Sequence, residues 1–272
     1  MDTGKMEEFI SWFQGNDPGN RIPEDLAKKP EYAGRKLYDG VVLGVAAADD
    51  PVIVSLKNNS EANLDIMLPD EWLPGAKSVI SFFFPFARWL IEENIGGEWP
   101  SEGWLHGRIE GQKASDDVIS ALAEAVREEG YEAVVPSLDP RLMIYMKYSG
   151  YPESLYRTNW SERHAAYAAG LGTFGLSRGL ITERGTAGRF ASLVTTMRLE
   201  PTPRYYTDLL EYCAKCGACA RYCPPGAISV EHLKDHSLCD VYLAGIREKE
   251  EPYYGCGKCQ CGVPCSYERP AL

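Results

Sequence analysis

The sequence predicts an α+β protein: a mixed sheet flanked by helices, followed by a small unit organised around cysteine. Three observations carry the prediction. Helix-like and strand-like periodicities alternate through the first three quarters of the chain, without repeats or low-complexity runs. No cysteine occurs before Cys213, and all nine lie between there and Cys265. At 272 residues and 44% apolar composition the chain can bury a substantial core, but it is short for three domains. The expected division is a larger domain at 1–205 and a smaller one at 206–272.

Residues 5–14 read as an amphipathic helix, and "YDGVVLGVAAA" and "KSVISFFFPF" read as strands. "SDDVISALAEAVREEG" is a helix pattern that Ser115 would cap and Gly130 would end, with "YEAVVPS" following as a strand. "NWSERHAAYAA" is a helix starting at Asn159 or Ser161. "GLITERGTAGRFASLVTTM" alternates through a Gly/Thr turn in the manner of a hairpin. Between those two stretches stands "GLGTFG", with Gly170, Gly172 and Gly175. A helix rather than a strand delivers these glycines, so a dinucleotide fingerprint is disfavoured, and Gly170 is more simply a helix C-terminal glycine. A glycine turn still permits close backbone approach by a different cofactor.

No stretch offers the roughly 20 uninterrupted apolar residues of a membrane span. "VISFFFPFARWLI" is cut by Pro85 and Arg88, and the acidic start "MDTGKMEEFISWF" lacks the order of a signal peptide. A cytoplasmic protein without a membrane partner is expected. In reducing cytosol, crowded cysteines point to metal binding or redox chemistry rather than disulfides. A formal charge of −11 disfavours a nucleic-acid partner.

Cys213, Cys216, Cys219 and Cys223 follow C-x2-C-x2-C-x3-C, and Pro224 comes directly after. This is the bacterial ferredoxin spacing, in which three thiolates hold one cubane and the fourth reaches another. The second set is supplied by Cys239 and by "GCGKCQCGVPC", which adds Cys256, Cys259, Cys261 and Cys265. Two cubanes take eight thiolates, which leaves one of nine spare. Cys261 is the choice, one residue beyond Cys259. The expected sets are Cys213, Cys216, Cys219 and Cys265 on one [4Fe-4S] cluster, and Cys223, Cys239, Cys256 and Cys259 on the other. Zinc also takes C-x2-C pairs, but the 2-2-3 run favours iron and sulfur.

The stretch "SERHAAYAAGLGTFGLSRGLITERGTAGRFASLVTT", followed by the ferredoxin run, a lone cysteine and a last cysteine group, resembles epoxyqueuosine reductases and the reductive dehalogenases related to them. The resemblance covers most of the chain. It implies a nitroreductase-like α+β domain for cofactor and substrate at 1–205, and a ferredoxin-like double-cluster domain at 206–272. It also implies two [4Fe-4S] clusters, a base-off cobalamin near Gly170, Gly172 and Gly175, a substrate reduced above the corrin, and an anaerobic supply of electrons from a donor such as ferredoxin or flavodoxin. Flavin is the other organic cofactor such a core could hold.

One departure bears on the substrate. At the place of the family's acidic proton donor before the glycine turn, "YPESLYRTNWSER" puts Tyr156 and Arg157 instead of a carboxylic acid. Tyr156 with Arg157 is the expected catalytic pair, because a cation stabilises the phenolate left when a tyrosine gives up its proton. Tyr148, Tyr151 and Arg163 are further candidates. The functional reading is a cobalamin-dependent iron-sulfur reductase of a small molecule. The alternatives are an electron-transfer or corrinoid-binding protein without turnover, and an epoxyqueuosine reductase acting on tRNA.

Overall fold

A computed structural model of the chain describes residues 1–16, 18–57, 66–147 and 155–271, with the side chains of 145–147 and 155–157 excepted. Tyr148 and Tyr151 fall outside these residues. So do the side chains of Tyr156 and Arg157.

In chain order the elements are α1 (Thr3–Asn16), β1 (Val42–Ala47), α2 (Pro51–Lys57), α3 (Pro69–Trp72), β2 (Ser78–Pro85), α4 (Arg88–Glu93), α5 (Glu102–Glu128), β3 (Ala133–Val134), β4 (Ile144–Lys147), β5 (Leu155–Thr158), α6 (Glu162–Ala168), β6 (Gly172–Phe174), β7 (Leu180–Thr182) and β8 (Gly188–Thr195). The cysteine-rich part adds α7 (Ala218–Arg221), β9 (Ile228–Ser229), β10 (Leu233–Lys234) and α8 (His236–Glu250).

The main sheet has the order β1-β2-β8-β3. Every pairing in it is antiparallel, where the sequence suggested a mixed sheet. All eight residues of β2 are buried because both faces are covered, which explains its unbroken apolar run. Ile80, Phe82 and Phe84 pack with α1 and α5 on one face. Val79 and Phe83 pack with residues of α6 on the other. On its far side β8 pairs with β3 only at Val194 and Thr195. Among the described residues, its outer edge from Gly188 to Leu193 therefore carries no strand.

Two sequence expectations change. Helix α5 begins at Glu102 and is capped by Ser101, whose hydroxyl accepts the Trp104 N–H at 3.1 Å. Ser115 lies inside the helix and donates to the Gln112 carbonyl at 2.8 Å. Gly103, Gly107 and Gly111 dilute the helical signal of the first turns, yet they are what lets α5 lie close to its neighbours. A Cβ on Gly103 would stand 2.7 Å from the Trp89 ring, and one on Gly107 3.2 Å from Phe86. The hairpin also differs, because β7 pairs with β6 while β8 joins the main sheet. The close approach of β6 to β7 is made possible at Gly172, where a Cβ would meet the Ile181 carbonyl oxygen at 1.9 Å.

The cysteine-rich segment has little apolar core of its own and docks on α5. Ile246 and Tyr253 pack against Leu105. Gly257, at φ +65°, lies under the Trp104 ring. Asp235 caps α8 by accepting the N–H groups of Ser237 at 2.8 Å and Leu238 at 3.2 Å.

Candidate iron-sulfur site and the charged cluster beside it

All nine cysteines are free thiols, Cys216 exposed, Cys261 buried and the others between. Their mutual influence separates them. Burial pushes Cys265 up to about 12, and Cys219, Cys213 and Cys216 add to the shift. Cys219 is pushed up to about 11 by burial, then by Cys259, Cys213 and Cys216. Burial likewise raises Cys256 to about 12, with Cys259 and Cys239 contributing. Burial raises Cys223, which feels Cys239. It raises Cys259 too, which feels Cys239 and Cys223. Two groups of four emerge, with Cys219 and Cys259 where they approach.

Cys261 also feels Cys259 and Cys256, and what distinguishes it is its burial and its hydrogen bond. It is 1% exposed, burial pushes it up to about 12, and Asn94 donates to its Sγ at 3.4 Å. The same Asn94 amide donates to the Cys256 carbonyl at 2.9 Å. Lys258 Nζ donates to the carbonyls of Asn94 at 3.1 Å and Gly96 at 2.6 Å, which fixes the loop between Cys256 and Cys259. Among the described residues, no three Cys, His, Asp or Glu side chains are placed to share a single metal ion. A cubane offers each thiolate its own iron, so its ligands stand further apart than those of zinc.

The glycine turn is tied to this segment. Phe174 N–H donates to the Leu209 carbonyl at 2.7 Å, and Tyr212 N–H donates to Thr173 Oγ1 at 2.8 Å. A Cβ on Gly175 would lie 3.2 Å from Ile181 and 3.8 Å from Cys213 Sγ. Gly170, at φ +82°, ends α6 with Thr202 3.0 Å from its would-be Cβ. The space beside each of Gly170, Gly172 and Gly175 is thus occupied by the protein itself.

A second group of functional side chains gathers at the open edge of β8. Arg108, Gln112 and Asp116 recur at helical spacing on one face of α5. Gln112 accepts from Arg189 Nη2 and donates to Asp116 at 2.7 Å. The Arg108 guanidinium stacks on Tyr254 with Cζ 4.4 Å from the ring centroid, and Arg247 stacks on the same ring at 4.8 Å. Burial pulls Arg108 down to about 9, and the charges of Arg189 and Arg163 add to the effect. Burial lifts the Glu162 carboxyl to about 7 and raises Asp116. Neither Glu162 carboxylate oxygen, nor Ser81 Oγ, nor Arg189 Nε has a hydrogen-bond partner of normal geometry among the described residues.

This cluster adjoins the second cysteine group. The charge of Arg163, itself exposed, is felt by Arg108, by His236 and by Cys259. A surface cavity of about 430 Å³ opens beside Cys213, lined by residues from Asp208 to Lys215 and by Ala271. Sequence reasoning did not single out Arg108, Asp116, Arg189 or Glu162. The stripe on α5 becomes visible only once the helix is known to start at Ser101.

The fold and site define a class first: an α+β domain whose main sheet carries a charged cluster, joined to a cysteine-rich segment of double-cluster spacing. Solved structures share the fold. Epoxyqueuosine reductase from Streptococcus thermophilus superposes with a TM-score of 0.51 and 16% identity, covering 85% of this chain and 64% of that one. A catabolic reductive dehalogenase superposes with a TM-score of 0.55 and 16% identity, over 85% of this chain and 30% of that one. A reductive dehalogenase structure described in connection with B12-dependent dehalogenation gives the same values of 0.55, 16%, 85% and 30%. The chain thus spans less than two thirds of the length of these proteins. No protein-family model and no curated protein matches the chain.

Proposed function

We propose that the protein is an iron-sulfur reductase that takes electrons one at a time from an external donor such as ferredoxin or flavodoxin and passes them to a small molecule at the charged cluster, with cobalamin as organic cofactor. What supports this reading is the ferredoxin spacing of Cys213, Cys216, Cys219 and Cys223 with five further cysteines after it, Cys213 beside a surface cavity and Cys259 within reach of the charge of Arg163. Cys213, Cys216, Cys219 and Cys265 would hold one [4Fe-4S] cluster, and Cys223, Cys239, Cys256 and Cys259 the other. Clusters of this type supply one-electron transfer, at potentials set by net charge, hydrogen bonds to the sulfurs and solvent exposure. Buried, protonated thiols release their protons when iron binds, so cluster assembly also stabilises the segment.

Exposed Cys216 marks the side where a donor can approach. Cys219 and Cys259, the pair that links the two groups, mark the inward direction. The Arg189 Nε and the Glu162 carboxyl, which lack partners among the described residues, suit a ligand rich in amides, which both donate and accept, and a corrinoid is such a ligand. When bound, cobalamin supplies a cobalt centre capable of reducing carbon. Glu162 retains its proton near neutral pH at a water-poor wall of the cluster, so it can serve as the proton source that the sequence reading sought in Tyr156.

The test is anaerobic reconstitution with iron and sulfide, then addition of hydroxocobalamin and a low-potential reductant. About eight irons per chain and a base-off corrinoid spectrum are expected. Zinc in place of iron would end the cluster reading, and an unchanged corrinoid spectrum would end the cobalamin reading. Turnover of an epoxyqueuosine-bearing tRNA stem-loop would replace the small-molecule substrate despite the charge of −11. Clusters that reduce without consumption of any substrate would leave an electron-transfer protein.

A further inference from the structure

Arg189 on β8 donates to Gln112, and Arg108 lies one turn before Gln112 on the same face of α5, so the two cations are neighbours and the charge of Arg189 disfavours that of Arg108. Neither forms an ion pair with a carboxylate among the described residues. Arg189 uses Nη2 on Gln112, and its Nε is inaccessible and lacks an acceptor. Arg108 lies on the Tyr254 ring, which orients its plane without neutralising it. Asp116 takes its hydrogen bond from Gln112, neither it nor Glu162 pairs with either guanidinium among the described residues, and burial raises both carboxyls.

Two like charges held together and partly withdrawn from water are costly unless a counter-charge joins them. Neutral amides would satisfy the guanidinium hydrogens but leave the repulsion. An oxyanion would answer both needs, since carboxylate and phosphate match the planar fork of arginine. We infer that Arg108 and Arg189 form an anion site that takes the carboxylate or phosphate group of the small molecule bound at the open edge of β8. Gln112 and Tyr254 are positioning residues that hold the two guanidinium planes. The inference rests on the reductase reading only in naming that molecule a substrate or a cofactor. The oxyanion can come from an acidic substrate or from the phosphodiester of cobalamin itself.

The experiment uses cluster-loaded protein without corrinoid and measures thermal protection by inorganic phosphate and by benzoate. Saturable protection is expected, weakened roughly 10-fold or more by Arg108→Gln or Arg189→Gln. Lys113→Gln, at an exposed position on the same helix, should leave it unchanged. No protection of the wild type, or equal protection of the arginine variants, overturns the inference. Should the glutamine variants fail to fold, Arg189→Lys keeps the charge but loses the fork, and phosphate binding as tight as in the wild type overturns it. Displacement of phosphate by hydroxocobalamin but not by cobinamide, which lacks the phosphodiester, supports the site as the cofactor's. Displacement by benzoate on corrinoid-loaded protein supports it as the substrate's. Phosphate binding in protein that binds no corrinoid supports the anion site while removing cobalamin from the proposed function.

Discussion

Thr186 donates its backbone N–H to the carbonyl of Cys265 at 2.9 Å. This contact fastens the far end of the cysteine-rich segment to the loop between β7 and β8. Cys213 approaches Gly175 in the turn between β6 and β7, so the same hairpin region is touched by two cysteines that are 52 positions apart in sequence. A serine at Cys265 should therefore lower iron from about eight to about four per chain, and one at Cys239 should do the same through the other cluster. Cys261→Ser should retain about eight. Iron analysis with EPR of the reduced protein checks all three.

Gly257 tests how the segment docks. Its φ of +65° resists any side chain, and a Cβ would fall 1.9 Å from the Trp104 ring. Gly257→Ala should cost roughly 2–4 kcal/mol and release iron on mild urea treatment. Gly96→Ala separates the two effects, because its φ of +70° is similar but nothing lies within 4 Å of the added atom. That variant should lose only about 1 kcal/mol. Equal urea midpoints for the two would show that Trp104 is not the obstacle.

Glu162 makes a pH signature. Its carboxyl holds a proton up to about 7 in the folded protein, against an ordinary value of 4.5. Folded and unfolded chains are both protonated below the lower value, so its contribution to stability is complete there. That contribution is lost as pH rises from the unfolded value through the folded one, and is gone above it. Glu162→Gln should remove this part of the slope and exceed the wild type by roughly 2–3 kcal/mol at about pH 8. Urea midpoints of both proteins at about pH 5 and about pH 8 measure the difference.

Lys258 lies in the loop between Cys256 and Cys259, and burial lowers the affinity of its amine for its proton while both Cys256 and Cys261 oppose that shift. A cation close to a cluster favours the added electron. Lys258→Met should make the neighbouring cluster harder to reduce by roughly 50 mV, and should also free the Asn94 and Gly96 carbonyls that its ammonium now satisfies. An EPR-monitored redox titration reads the shift. An unchanged potential would show that the lysine acts on the loop alone.

Much of the scaffold was legible because its signals are local. The run Val79–Phe84 is apolar without alternation, as a strand covered on both faces requires, and α1 shows its buried side through Met6 and Ile10. Ser115 misled because it precedes an acidic turn, while Gly103, Gly107 and Gly111 disguise the real start of α5. Those glycines answer to Trp89, Phe86 and Tyr38, contacts that no window of sequence contains. The cysteine spacing was readable as chemistry because ligand geometry is encoded along the chain. The arginine pair was not, since Arg108 and Arg189 become neighbours only when β8 is placed beside α5.

The interleaving of the two thiol groups has a consequence for biogenesis. A ribosome delivers Cys213, Cys216 and Cys219 well before Cys265, and Cys223 well before Cys259. On the proposed assignment neither iron cube can be closed while the chain is still short, so nascent protein would emerge with its sulfurs open. Insertion machinery has to act after translation has passed the last of them, on a polypeptide whose larger half is already available to fold.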